Sequence, residues 1–181
     1  MDWIIPGTVL KADRASAVDQ QFSAMFLGGG IVLSQVTGIT GLETHTVQNW
    51  VKRGFLSPPE RKHYSLNQLC RIIKINMLKN TLPMERIVGL LSYINGDLDD
   101  ESDDVIDDSR LYFMFVRLAA QAVTMNTPQG RDECIARELA NYREPIPGAK
   151  ERVAKVLTIM LTAWASAQLR QSAEQMLQEL N

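Results

Sequence analysis

Two stretches of this 181-residue chain carry side chains suited to gripping a polyanion and reading its edges. Between residues 43 and 53, Thr44, His45, Gln48, Asn49 and Lys52 fall on the polar face of a predicted helix, opposite Val47, Trp50 and Val51. Asn and Gln can bond adenine bidentately through N6 and N7, and Lys suits a phosphate or guanine. Arg61, Lys62 and His63 follow the pair Pro58-Pro59 and could touch phosphates, contacts that fix register rather than sequence. A shorter predicted helix, Ser34 to Thr40, which buries Val36 and Ile39, precedes the first stretch, and Gly41 separates the two. A short helix, a glycine turn and a second helix of about three turns is the spacing of a helix-turn-helix, whose second helix lies in a DNA major groove. The same spacing also fits two ordinary packed helices with a solvated polar face.

The elements that would position these residues read as helical almost throughout. Residues 1–14 show no clear period, and Pro6-Gly7 marks a turn. Val18, Phe22, Met25 and Phe26 recur at helical spacing between Ser16 and Leu27. Gly28-Gly29-Gly30 then reads as a helix stop or hinge, since neither G-x-G-x-x-G nor a Walker pattern is present. Gly54 closes the 43–53 helix as its C′ residue, with Lys52 and Arg53 in the last turn, where cations favour the helix dipole. Ser65-Leu66-Asn67-Gln68 is a capping box that opens a helix to about Asn80, with Leu66, Leu69, Ile72, Ile73, Met77 and Leu78 on its core side. The next helix starts near Pro83, is striped by Ile87, Leu90, Leu91 and Ile94, and ends at Asn95-Gly96. Two more are expected from about Asp107 to Thr124 and from about Gln129 to Tyr142. Thr127-Pro128 separates these two, and Pro145-Ile146-Pro147-Gly148 ends the second. The segment Ala149 to Leu180 is helical to its end, ~48 Å long if straight. It carries one apolar stripe of Val153, Leu157, Met160 and Trp164 and a second of Leu169, Ala173, Met176 and Leu180. The expected class is all-α, with at most a small β-ribbon around residues 55–65.

The charge balance of −2, from 19 basic and 21 acidic residues, argues at face value against a generic nucleic-acid binder. The average conceals a segregation. Residues 31–80 hold Lys52, Arg53, Arg61, Lys62, Arg71, Lys74 and Lys79 against Glu43 and Glu60, a net of +5. Residues 97–108 hold eight acidic residues and no basic one. A basic module is followed at once by an acidic connector, and such asymmetry speaks to partners rather than to fold. The expected organisation is an N-terminal helical extension (1–30), a helix-turn-helix domain (31–95), then the acidic connector with a C-terminal helical domain (96–181). The start of the chain lacks the basic n-region of a signal peptide, and no apolar run reaches the ~20 residues of a membrane span. A cytoplasmic protein without a membrane partner is expected.

The residues Gly41, Gly54-Phe55-Leu56, Tyr64-Ser65 and Met84-Glu85-Arg86-Ile87 resemble the MerR-type winged helix-turn-helix. That family places a glycine between its two helices, a Gly-Leu-Leu after the recognition helix, and a Tyr-Ser at the cap of a third helix. The likeness covers about residues 31–94 and implies double-stranded DNA as partner. This chain departs from it in three ways. The wing segment Ser57–His63 is short, Gln48 stands where an Arg is usual, and thirty residues precede the module. More closely, the chain resembles an uncharacterised bacterial family, domain of unknown function 1836. That likeness rests on Gln48-Asn49-Trp50-Val51-Lys52-Arg53-Gly54, Tyr64-Ser65, Arg71-Ile72, Ile75-Asn76-Met77-Leu78, Tyr93-Ile94-Asn95 and Asp103-Asp104-Val105-Ile106-Asp107. It implies a MerR-like module without an assigned activity.

Other chemistries find little to work with. Cys70 and Cys134 lie far apart with no CxxC, so neither a disulfide scaffold nor a zinc site is expected. The two histidines both sit in the segments suited to DNA, and no nucleophile–base pair can be assembled, so no enzyme activity is expected. The acidic run can be laid on a calcium loop through Asp97, Asp99, Glu101, Asp103 and Asp108. That template needs glycine at its sixth place and glutamate at its twelfth, where Ser102 and Asp108 stand. A solvated connector with helix caps fits better, and no cofactor or metal is expected. The acidic run docking onto the basic module is a further expectation. Tyr112, Phe113, Phe115 and Trp164 read as plain core, with an effector pocket as the alternative. The long last helix could join two copies, which suits a helix-turn-helix protein on a two-fold site. The favoured function is a DNA-binding transcriptional regulator. Its rival is a helical adaptor that binds another protein through the same surface.

Overall fold

The computed structural model describes residues 3–96, 98, 104–121 and 127–180. Among these the chain is mostly helical. Eight α-helices run in the order α1 (Val18–Met25), α2 (Leu33–Thr40), α3 (Thr44–Lys52), α4 (Leu66–Leu78), α5 (Met84–Asn95), α6 (Asp108–Ala119), α7 (Pro128–Glu138) and α8 (Ala149–Gln178). Two small two-stranded sheets correct the all-α expectation. Strand β1 (Trp3–Ile4) pairs antiparallel with β2 (Lys11–Ala12), in the segment where no period was visible. Strand β3 (Ile31–Val32) pairs antiparallel with β4 (His63–Tyr64), setting Ile31 against Tyr64 and Val32 against His63. The expected ribbon at 55–65 therefore takes its main partner from residues 31–32. Each strand has two residues, too few for the alternation over four to eight residues that betrays a strand in sequence.

The β3–β4 pair closes the α2–α3 unit at its base, since the chain enters through β3 and leaves into β4. Gly30 makes the closure possible: a Cβ there would stand 2.8 Å from both the Cβ of His63 and the carbonyl oxygen of Tyr64. The third glycine of the run thus admits a neighbouring strand, a role beyond the expected helix stop.

Helix α4 forms the centre and packs against α2, α5, α6 and α8. Its capping box is formed as the sequence requires: the Gln68 amide donates to Ser65 Oγ at 3.1 Å, and the Ser65 amide donates to Gln68 Oε1 at 2.8 Å. Nine of its 13 residues are buried, Arg71 and Lys74 among them, so it is enclosed on every side. The stripes expected on α2, α3 and α5 are buried through Val36 and Ile39, Val47 and Trp50, and Ile87, Leu91 and Ile94. The aromatics of α6 are core: Tyr112 and Phe113 pack on Phe22 of α1, and Phe115 meets Trp164 of α8 edge-on. One apolar cluster runs from Ile5 to Ala163.

Helix α8 divides in two. Val153, Val156, Leu157, Met160 and Leu161 are buried. Beyond Trp164 the helix leaves the core, and its second stripe is exposed, with Leu169 74% and Met176 66% accessible.

Candidate functional site

Helix α3 is amphipathic by construction. Val47 and Trp50 enter the core, one turn apart, and this rotation turns Thr44, His45, Gln48, Asn49 and Lys52 outward; all five are exposed. The helix ends in a Schellman motif. The Phe55 amide donates to the Trp50 carbonyl at 2.9 Å and the Gly54 amide to that of Val51 at 3.0 Å, with Gly54 at φ +72°. At the other end Gly41, at φ +69°, turns the chain out of α2. The exposed Arg53 lies over the Phe55 ring, 4.5 Å from its centroid, and 3.9 Å from Glu85.

After Pro58-Pro59 the chain reverses over Glu60–His63. The His63 amide donates to the Glu60 carbonyl at 2.8 Å, and the two residues form a β-bridge. Arg61 and Lys62, both exposed, occupy the two central places with φ +48° and +69°. Positive φ at both places is the mark of a type I′ hairpin turn, which favours Asn-Gly. Here two long cationic side chains take it, at a conformational cost of order 1–3 kcal/mol each. His63 Nδ1 lies 3.0 Å from the Arg61 carbonyl oxygen and steadies the tip. The tip splits its two cations. Lys62 joins Gln48 along an apolar groove of about 530 Å³ floored by Val32, Leu33, Val51 and Pro59. Arg61 opens on a separate cleft beside Ser57, Glu60 and Gln68. The fold therefore associates Gln48 of α3 with Lys62 of the tip, and keeps Arg61 off that groove.

The basic module is less basic at its surface than along its sequence. Arg71 and Lys74 of α4 are buried and meet Asp108, the first residue of α6. Lys74 Nζ donates to Asp108 Oδ1, Arg71 Nη1 lies 3.5 Å from Oδ2, and Arg71 Nε donates to the Phe55 carbonyl at 3.1 Å. Burial lowers the Lys74 pKa, and the Asp108 carboxylate draws it back in part. Burial also pushes the neighbouring Cys70 thiol far above its usual range. So the last carboxylate of the acidic run does reach the basic module, in the interior. Asp97, Asp99, Asp100, Glu101 and Asp103, with the calcium loop drawn through them, lie outside the described residues. A signal for this cluster existed in the sequence: apolar residues of 66–78 point in too many directions for a helix with one free side, leaving Arg71 and Lys74 nowhere to face but inward.

The fold is thus mostly helical, with an exposed polar helix α3 beside a cationic hairpin tip. Residues 30–115 match the family described as Domain of unknown function (DUF1836), a span from Gly30 into α6 that includes both the exposed and the buried cations. The "Uncharacterized protein YkrK" of Bacillus subtilis (strain 168) is similar, 31% identical over 86 residues, which are 45% of this chain and 37% of that protein. The chain thus matches just over a third of the length of this curated relative. No solved structure matches. Among the described residues, no helix is long and apolar enough to cross a membrane.

Proposed function

We propose that α3 and the Glu60–His63 tip form a MerR-like winged helix-turn-helix surface for double-stranded DNA, and that the protein is a non-enzymatic cytoplasmic transcriptional regulator. The observation that carries the reading is the exposure of all seven candidate residues: Thr44, His45, Gln48, Asn49 and Lys52 on one helix face, and Arg61 and Lys62 on an adjoining tip held at positive φ. In this reading Gln48 and Asn49 face base edges, with their amides suited to adenine. Lys52, Arg61 and Lys62 face phosphates. Thr44 and His45 stand at the N-terminal end of α3, the end that approaches bases in a helix-turn-helix. Two copies on a two-fold operator would supply the second half-site.

The apolar groove beside Gln48 and Lys62 favours a second reading, an adaptor whose partner buries an apolar side chain there. Fluorescence anisotropy of labelled random duplexes over a salt series separates the two. DNA binding predicts that log affinity falls linearly with log salt, and that Lys52→Ala or Lys62→Ala each reduces the slope by about one unit. Absence of binding at the lowest salt overturns the first reading and leaves the adaptor.

A further inference from the structure

A further concavity lies between the N-terminal segment, the end of α4 and the emerging half of α8. Its volume is about 710 Å³, within the range of small-molecule sites. Trp3 forms part of one wall and Trp164 part of the other, both half-buried, and Met77 contributes to the floor. The exposed amides of Asn80, Gln168 and Gln171 supply both donors and acceptors around it. Its charged lining is balanced: Arg170 Nε lies 3.6 Å from Glu174 Oε1, and Arg170 Nη1 donates to the Asn80 carbonyl at 3.4 Å. Two indoles, exposed side-chain amides and a self-neutralised ion pair in one lining suit a ligand that is planar, uncharged and rich in hydrogen-bonding edges.

The wall Trp3–Thr8 is also tied to the α2–α3 turn. Asn76 Nδ2 donates both to the Gly7 carbonyl and to that of Thr40, the last residue of α2, at 3.0 Å each. The Val9 amide donates to the Ile39 carbonyl at 2.9 Å. A ligand that prefers one position of this wall therefore acts on the hydrogen bonds that seat the end of α2, and coupling follows from that difference in affinity.

We propose that this cleft binds a planar, uncharged heteroaromatic molecule, and that its occupancy is transmitted through Asn76 to the α2–α3 turn. The site holds whichever partner α3 takes. The chain carries its own reporters, since of its three tryptophans Trp3 and Trp164 line the cleft and Trp50 lies in α3. The full chain labelled with 5-fluorotryptophan is titrated with adenine and, separately, with theophylline, and followed by fluorine NMR. With at least one probe the Trp3 and Trp164 resonances shift saturably below about 5 mM, the scale of weak fragment binding. Trp50 shifts with the same midpoint. Ala167→Phe, which fills the cleft, abolishes the shifts at an unchanged melting temperature, and the exposed change Gln171→Ala raises the midpoint severalfold. Asn76→Ala silences Trp50 while Trp3 and Trp164 still respond. No saturable shift at Trp3 or Trp164 with either probe overturns the site, as does a midpoint unmoved by Gln171→Ala. A Trp50 resonance that stays fixed while the other two saturate overturns the transmission.

Discussion

Two sets of cations from one basic stretch meet opposite fates. Lys52, Arg61 and Lys62 stand in solvent, on a helix face and a hairpin tip. Arg71 and Lys74, only a few residues further on, are sealed between α4 and α6 and neutralised in part by Asp108. The exposed set can change partner at little cost, because water replaces whatever leaves it. The buried set cannot, because a charge stripped of water depends on the one carboxylate that faces it. The first set is therefore open to an outside partner, and the second holds α6 onto α4. A net charge of +5 counted along residues 31–80 mixes the two, and only part of it can be felt by a polyanion outside.

This contrast can be broken in order of expected effect. Asp108→Asn leaves Lys74 and Arg71 buried without a counter-charge and should lower the unfolding free energy by about 3–5 kcal/mol, read by urea denaturation. Lys52→Ala should stay within about 0.5 kcal/mol of the parent in the same experiment. Equal losses from the two variants would erase the distinction.

The alkaline limb tests the burial of the same corner. Burial raises the pKa of the Cys70 thiol and of the Tyr112 phenol, so in the unfolded chain each loses its proton at a lower pH. For the thiol, stability present below about pH 8.5 is then lost as pH rises. Burial acts on Lys74 with the opposite sign: its pKa is lowered, the unfolded chain holds the extra proton, and stability rises with pH up to about 10.4. Cys70→Ala isolates the thiol. Its unfolding free energy should fall less steeply than the parent's above about pH 8.5, by up to about 1.4 kcal/mol per pH unit. Parallel curves would mean that the Cys70 thiol ionises as readily in the folded chain as in the unfolded one.

Lys62→Gly addresses the exposed set. Glycine removes the left-handed strain at φ +69° but adds freedom to the unfolded chain, so a net gain of about 0.5–1 kcal/mol is expected, together with weaker duplex binding if the tip grips phosphate. A loss of stability would show that the Lys62 side chain supports the hairpin through packing. The smallest effect belongs to the outer half of α8: Leu169→Asp should move the melting temperature by no more than a degree or two, against a large drop for Leu157→Asp in the core. A concentration-dependent loss at Leu169 would mean that a second copy covers the exposed stripe.

Much of the local structure was legible in the chain. The capping box at Ser65, the glycines at 41 and 54, and the stripes of α2, α3 and α5 are short-range signals, and each formed where its residues required. The outward face of α3 follows from the same periodicity, since burying Val47 and Trp50 leaves Thr44, His45, Gln48, Asn49 and Lys52 no other direction. Of the two sheets only a ribbon around 55–65 was expected; the pairing of Ile31–Val32 with His63–Tyr64 and the N-terminal sheet were not legible, because a pair of two-residue strands has no period of its own and exists only once its partner arrives. Neither was the positive φ at Arg61 and Lys62, whose side chains argue against it.

By itself, the sequence determined the order of the helices, the capping box at Ser65 and the outward face of α3, because these depend on neighbours within a few residues. The tertiary structure alone decided three other things. It decided that Asp108 partners the buried cations of the basic stretch, that α8 is core to Trp164 and mostly exposed beyond it, and that the N-terminal segment faces α8 across a cleft tied to the end of α2. Each depends on contacts between residues dozens of positions apart. Charge, periodicity and propensity, read along a chain, carry no record of such distances, whereas burial does.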